Sequence, residues 1–301
     1  MSHRFDRREF LRSTAALAAG ASLAAGSRTA LVLAADAACK TPHCVKLGWQ
    51  LCASLYTYRR FPFYEALAMI DEAGLKHIEP AFFLGLDKQR PKLKTNEDLS
   101  AEERAELKQK LAARGIQMTN YYANLGADEA AARKTFSYAK EMGVNTLVSE
   151  PPAEAFGMIE ALCNEFEINL AVHNHPKKDN YAYWQPEGVM KACAGRGKRI
   201  GACCDTGHWV RSGLKPVECL KKMEGRIISL HLKDVGEWAK PEARDVPLGQ
   251  GLAEFGAVLK ELHRQGFQGV MGIEYEHDSP QLQEDVAACI AFVEKTAGEL
   301  A

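Results

Sequence analysis

Short apolar runs alternate along this chain with longer segments in which apolar residues recur every three or four positions. Val45-Lys-Leu-Gly-Trp-Gln-Leu-Cys52 reads as a first strand, and Tyr64 to Ala73 carries the spacing of an amphipathic helix stopped by Gly74. Lys76-His-Ile-Glu-Pro-Ala-Phe82 is a second strand. A loop rich in Lys, Pro and Gly then leads to a helix from Ala101 to Ala113, opened by the capping box of Ser100 and Glu103. Gln117 to Tyr122 is the third strand, Asp128 to Met142 a helix, and Asn145-Thr-Leu-Val-Ser-Glu150 the fourth strand, halted by two prolines. The pattern continues with a helix at Glu154 to Glu167, a fifth strand at Asn169 to His173 and a helix at Pro186 to Cys193. The sixth strand runs from Ile200 to Cys204, followed by a helix at Pro216 to Met223 and a seventh strand at Ile227 to Leu232. A helix at Ala253 to Arg264, an eighth strand at Gly269 to Tyr275 and a last helix from Pro280 to Leu300 close the set. This alternation predicts an α/β chain closed as a (β/α)8 barrel, one domain over residues 38–301, with an open doubly wound sheet as the alternative. No G-x-G-x-x-G opens the first helix, so a nicotinamide-binding domain is not expected.

Active sites of such barrels lie at the C-terminal strand ends, and here those ends are polar. They read Glu79, Glu150, His173 with His175, Asp205 with His208, His231 with Asp234, and Glu274 with Glu276 and His277. Five of the nine histidines of the chain fall there, too many for chance. Imidazoles mixed with carboxylates suit Mn²⁺ first, with Co²⁺, Zn²⁺ or Fe²⁺ also served, better than calcium, which takes oxygen ligands throughout. His173, Asp205, His231 and Glu274 are the expected ligands of one ion. Glu150, one strand earlier, is an alternative to either histidine. Strand alternation sets His175 on the same side as His173, as a further ligand or a substrate contact.

Asp205-Thr-Gly-His208, His231-Leu-Lys-Asp234 and Gly272-Ile-Glu-Tyr-Glu276 resemble the xylose isomerase-like TIM barrels, the sugar phosphate isomerases/epimerases, and the resemblance covers nearly the whole mature chain. It implies a divalent metal held on strands five to eight, commonly by Glu, Asp, His and Glu, which falls on His173, Asp205, His231 and Glu274. The first position departs from that pattern. In the ketose epimerases of the family the carboxylates on strands five and eight also move the proton, so here Glu274, His175 or Glu150 is left to do so. His208 is expected to hydrogen-bond a substrate oxygen or act as an acid, and Lys233 to stabilise an enediolate. The implied reaction is isomerisation or epimerisation of an unphosphorylated sugar by proton abstraction next to a carbonyl. Elimination from a 3-keto-glycoside by a lyase or hydratase is the second reading, and a non-catalytic sugar-binding protein the third. Tyr121, Tyr122, Tyr181, Tyr183 and Trp184 offer stacking faces for pyranose rings. The loop Arg244 to Gly251 offers backbone donors for ligand oxygens.

Composition narrows the setting. With 38 basic and 39 acidic residues the formal charge is −1, which excludes a nucleic-acid footprint. Residues 1–37 resemble a twin-arginine export signal: Asp6-Arg-Arg-Glu-Phe-Leu-Arg12, an apolar run from Ser13 to Leu33, and Ala35-Asp-Ala37 as cleavage site. A periplasmic protein follows, with the twin-arginine machinery as partner. No stable membrane anchor is expected, since Asp36 stands where a lipoprotein site before Cys39 needs an apolar residue. The odd count of nine cysteines rules out complete pairing; Cys39 and Cys44 are placed to close a small loop, and the others read as buried hydrophobes. The oligomeric state stays open, a homo-oligomer included.

Overall fold

Strands joined through helices return to the same end of the sheet and therefore pair in parallel. The computed structural model describes residues 40–301; the export signal expected over residues 1–37, and Cys39, lie outside them. Residues Thr41–Ala301 form one unit. Its strands are β1 (Trp49–Ser54), β2 (His77–Glu79), β3 (Gln117–Met118), β4 (Asn120–Tyr122), β5 (Thr146–Ser149), β6 (Asn169–His173), β7 (Ile200–Asp205) and β8 (Ile227–Leu232). A small excursion of β9 (Asp234–Val235) and β10 (Asp245–Val246) precedes β11 (Gly269–Ile273).

The nine barrel strands run in the order β3-β2-β1-β11-β8-β7-β6-β5-β4, each pairing parallel with its neighbours. The two outermost, β3 and β4, are halves of one strand broken at Thr119. That residue completes both ladders: its N–H donates to Ile78 O on the β2 side (3.1 Å) and its carbonyl accepts from Asn145 N on the β5 side (2.9 Å). The sheet therefore closes as the expected eight-fold barrel, with its third strand kinked.

Local signals set most of the element boundaries. Ser100 and Glu103 form the capping box of the helix Ala101–Ala112, Gly74 and Gly143 end their helices in the left-handed conformation, and Pro186 opens the helix Pro186–Cys193. The first strand begins later than its apolar pattern predicts. Val45 and Lys46 belong to a short helix, Pro42–Lys46, whose His43 and Cys44 N–H groups are taken by the Glu294 carboxylate at 2.9 and 3.1 Å. Gly48, at φ +76°, turns the chain out of that helix into β1. The partner that decides this lies in the last helix, Leu282–Leu300, beyond the reach of periodicity. Cys52, Cys163, Cys193, Cys203, Cys204, Cys219 and Cys289 are buried thiols, as expected of small hydrophobes. Among the described residues no helix is long and apolar enough to cross a membrane.

The loop after β10 is organised differently from expectation. Asp234 Oδ2 accepts from Gly249 N (3.0 Å) and Gly251 N (2.9 Å), and its Oδ1 from Ala253 N (2.9 Å). The backbone donors expected to meet a ligand are thus engaged by Asp234. A Cβ on Gly251 would lie 2.3 Å from Asp234 Oδ1 and 2.5 Å from Val235 O, both too rigidly held to give way. Gly251→Ala is therefore expected to cost about 1–3 kcal/mol of stability, read as a lower urea midpoint with an unchanged m-value.

Candidate active site

Parallel register delivers the polar strand ends to one rim of the barrel. Asp205, the last residue of β7, is the register partner of His231 on β8; His173 ends β6, and Glu274 follows β11. Asn174 fixes the β6 end against β7 by a reciprocal pair, accepting from Asp205 N at 2.8 Å and donating to Asp205 O at 3.0 Å. The asparagine between the two histidines is therefore a clamp.

Each residue of Asp205-Thr-Gly-His208 has a positional reason. Asp205 caps the short helix Thr206–Arg211, its Oδ1 accepting from His208 N at 2.8 Å, which turns Oδ2 toward the His173 and His231 rings and the Lys233 ammonium. Thr206 Oγ1 donates to Lys233 O (2.8 Å) and accepts from Lys233 N (3.0 Å), tying β7 to β8. Gly207 makes room for the lysine stem: a Cβ there would come within 2.5 Å of Lys233 Cγ.

Three buried atoms then face one another without a well-formed hydrogen bond: His173 Nε2, Asp205 Oδ2, which meets the Lys233 ammonium at 3.0 Å, and His231 Nδ1, which meets Glu274 Oε2. Asp205 Oδ2 stands 3.6 Å from His173 Nε2 and 3.9 Å from His231 Nδ1, and Glu274 Oε2 lies 3.0 Å from that same His231 nitrogen. Leaving a buried polar atom unsatisfied costs about 1–3 kcal/mol. Convergence of three such atoms calls for a shared partner, and a divalent ion taking both imidazole and carboxylate fits them.

The outward nitrogens of the two imidazoles are held by carboxylates. Glu79 Oε1 lies 2.6 Å from His231 Nε2, and Glu150 Oε1 lies 2.9 Å from His173 Nδ1. Such pairing fixes the tautomer and aims the other lone pair at an ion. Glu79 also accepts from Asn120 Nδ2 at 3.0 Å. Sequence reading noted Glu79 as one more strand-end acid and missed this role, and Asn120 altogether; the only signal was an acid closing the run Lys76-His-Ile-Glu79. Glu150 Oε1 is shared further by Tyr122 Oη (2.6 Å) and His175 Nε2 (3.2 Å), so this oxygen sits outside the His173, Asp205, His231 cluster and forms with His173 and His175 a neighbouring group of ligand type.

Lys233 is enclosed, with no exposed surface. Its Nζ lies 2.8 Å from Glu274 Oε1, 2.9 Å from Glu276 Oε1 and 3.0 Å from Asp205 Oδ2. It is absent from the cavity lining, so the expected contact with a substrate enediolate is replaced by contact with three carboxylates. Burial works against the Glu274 charge, yet Lys233 and His231 hold its carboxyl down at about 2. Glu274 Oε2 also accepts from Ser54 Oγ at 2.6 Å.

Above the cluster opens a cavity of about 220 Å³, reached by His173, His175, His208, His231, Glu274 and Glu276, with Tyr56, Phe83 and Tyr122 as its aromatic lining. His175 stacks on His208, ring centroids 5.2 Å apart. Burial, with the His173 charge beside it, pushes His175 down to about 4. Burial likewise drives His208 well below the usual histidine range. Of the five aromatics expected to stack on sugar, only Tyr122 lines this cavity. Tyr121 is buried against Tyr138, the Tyr181 hydroxyl bridges His175 N and His173 O, Tyr183 donates to Pro151 O, and Trp184 lies under Lys177. His277 also stands outside the cavity.

Residues 67–295 match the family model described as xylose isomerase-like TIM barrel. The chain belongs to the xylose isomerase-like TIM barrel family. Among curated relatives of this barrel, the rhizopine catabolism protein MocC of Rhizobium meliloti is 27% identical over 183 residues, 52% of this chain and 55% of that one. An inosose dehydratase of Clostridium botulinum (strain Eklund 17B / Type B) is 34% identical over 88 residues, 25% of this chain and 30% of the dehydratase. The chain thus spans about half, and less than a third, of the length of these two curated relatives. A crystal structure of a protein from Parabacteroides distasonis ATCC 8503 superposes with a TM-score of 0.66 at 30% identity, covering 82% of this chain and 99% of that one. A D-tagatose 3-epimerase-like protein shares the fold at 16% identity, with a TM-score of 0.65 over 84% of this chain and all of that one. Members of this xylose isomerase-like family are enzymes, epimerases and dehydratases among them.

Proposed function

We propose that this chain is a divalent-metal-dependent sugar lyase or dehydratase, which takes the proton next to a carbonyl and expels an oxygen substituent from the neighbouring carbon. The observation that carries this reading is the convergence of His173, Asp205 and His231 atoms that lack a well-formed hydrogen bond, beneath a cavity lined by His175 as its accessible base. His173, Asp205, His231 and Glu274 would hold the ion, Mn²⁺ by preference, with Glu150 and Glu79 orienting the imidazoles. A bound ion would supply Lewis-acid polarisation of the carbonyl and its neighbouring hydroxyl.

The remaining work falls to side chains. Glu274 has one oxygen taken by Ser54 Oγ and the other by Lys233 Nζ, so the proton transfer expected of it passes to His175. The Nε2 of His175 faces Glu150 and Tyr122, which makes Nδ1 its basic nitrogen. His208 Nδ1 lies 3.2 Å from Arg211 Nη1 and its Nε2 3.4 Å from Lys233 Nζ, so two cations bracket the ring on the cavity wall. Loss of the carboxylate at position 173 and the likeness to inosose dehydratase both support elimination over epimerisation. Isomerisation or epimerisation, which shares the first step, is the second reading, favoured by Glu276 as a further carboxylate on the cavity lining. The proposal includes an unphosphorylated sugar or oxidised glycoside as substrate, and export to the periplasm by the twin-arginine route.

The test is metal analysis followed by mass spectrometry of 3-keto-glycosides and simple sugars incubated with and without chelator. About one metal per chain and chelator-sensitive release of a free alcohol is the expected outcome; product of unchanged mass would favour the isomerase, and turnover by metal-free protein would defeat both. His175→Gln is expected to lower kcat about 100-fold while metal content stays constant.

A further inference from the structure

The metal-facing cavity is small. At about 220 Å³ it falls below the roughly 300–1,000 Å³ of pockets that enclose drug-sized ligands, so it holds about one sugar ring. A second, more open cavity of about 420 Å³ adjoins it, and the two share Tyr56 and Glu276 in their linings. The second cavity is charged with both signs, three arginines against four carboxylates. Arg211 is committed to Asp245 and Glu276, and Arg59 to Asp278. Glu242 and Arg244, also on its lining, are exposed, and neither side chain makes a hydrogen bond or ion pair among the described residues. At the junction stands an exposed aromatic pair, Tyr56 and Phe83, with ring centroids 6.0 Å apart at 84°. The Arg59 guanidinium lies 4.9 Å over the Tyr56 ring and holds it in place.

A free donor, a free acceptor and an aromatic face, with charges of both signs nearly offset, match a hydroxylated ring rather than an anion or an apolar chain. We propose that the second cavity is a subsite for the second ring of a glycoside, Tyr56 underlying the junction while Arg244 and Glu242 engage ring hydroxyls. This rests on the elimination reading above and specifies its substrate: the carbonyl-bearing ring occupies the metal-facing cavity and the second ring is the leaving group. In that step the C2–H proton passes to the base, the C1–O bond breaks as the C1=C2 bond forms, and the second ring departs as an alcohol carrying a proton. Neither water nor an oxidant is consumed.

The test compares two probes on the metal-loaded full chain, methyl 3-keto-glucoside and 3-keto-trehalose, which undergo the same elimination with a small or a ring-sized leaving group. The wild-type protein is expected to favour 3-keto-trehalose at least about tenfold in kcat/KM. Arg244→Ala and Glu242→Ala are each expected to erase most of that preference through KM, leaving methyl 3-keto-glucoside unaffected. Equal kcat/KM for the two probes, or variants that slow both alike, overturns the subsite. Should neither probe turn over, the elimination reading fails, and calorimetric binding of the same probes decides the subsite alone: tighter 3-keto-trehalose binding lost in Arg244→Ala upholds it, equal binding overturns it.

Discussion

Replacing His231 by alanine is expected to yield protein with essentially no bound divalent ion and turnover reduced by at least about 10³-fold, since Lewis-acid stabilisation is worth several kcal/mol and each 1.36 kcal/mol is tenfold. The effect is larger than the loss of one ligand, because His231 serves three carboxylates at once. Its Nδ1 faces Asp205 and Glu274, and its Nε2 meets Glu79, with both His231 and Glu79 almost wholly buried. Alanine leaves the Glu79 carboxylate with only Asn120 as partner. Stranding one member of a buried ion pair costs about 3–5 kcal/mol, a fall in Tm of roughly 10 °C for a chain of this size. Adding Glu79→Gln to the alanine variant removes the stranded charge and is expected to restore part of the stability and none of the metal. Metal analysis and thermal melts of both variants check this; full occupancy in the single variant would remove His231 from the site.

Lys233→Met is expected to give the second-largest effect, and one that depends on metal. Methionine keeps most of the stem that packs beside Gly207 but withdraws the ammonium from Asp205, Glu274 and Glu276. In the metal-free protein three buried or half-buried carboxylates then face one another, a loss of about 3–5 kcal/mol. An ion bound by Asp205 and Glu274 replaces part of the missing charge, so the loaded form loses less. The gap in Tm between loaded and metal-free protein should therefore widen relative to wild type, as melts with and without excess Mn²⁺ would read. A gap that narrows, or stays as in wild type, would show that lysine and metal do not share these carboxylates.

Much of the architecture was legible because its determinants are local. Ser100 with Glu103, Gly74 after its helix and Pro186 before its own announce boundaries within four residues of where they act. The polar rim was legible for a related reason: a barrel strand closing on His173, Asp205 or His231 sends its last side chain to the rim whatever the neighbours are. What stayed hidden depends on partners far away in sequence. Glu79 meets His231 across 152 positions and Ser54 meets Glu274 across 220, and nothing in either local pattern announces the match. Asp234 looked like a strand-end acid for the site, and only the fold reveals that the loop's own N–H groups take it. The aromatics misled for the converse reason: Tyr121 and Tyr183 sit beside the right strand ends, but their rings turn into the core.

The Glu79–His231 and Ser54–Glu274 pairs also bear on how the molecule is made. They join the first two strands of the barrel to its last two, so the ion-binding geometry does not exist until both ends of the chain have met. Contacts of such long sequence separation form slowly, and a truncated or half-folded chain carries Glu79 and Ser54 with nothing to orient. Capture of the proposed ion would thus signal completed ring closure. An ion that binds only the closed ring adds RT ln(1 + [L]/Kd) to its stability and none to the open chain's, so it slows reopening once assembly is done.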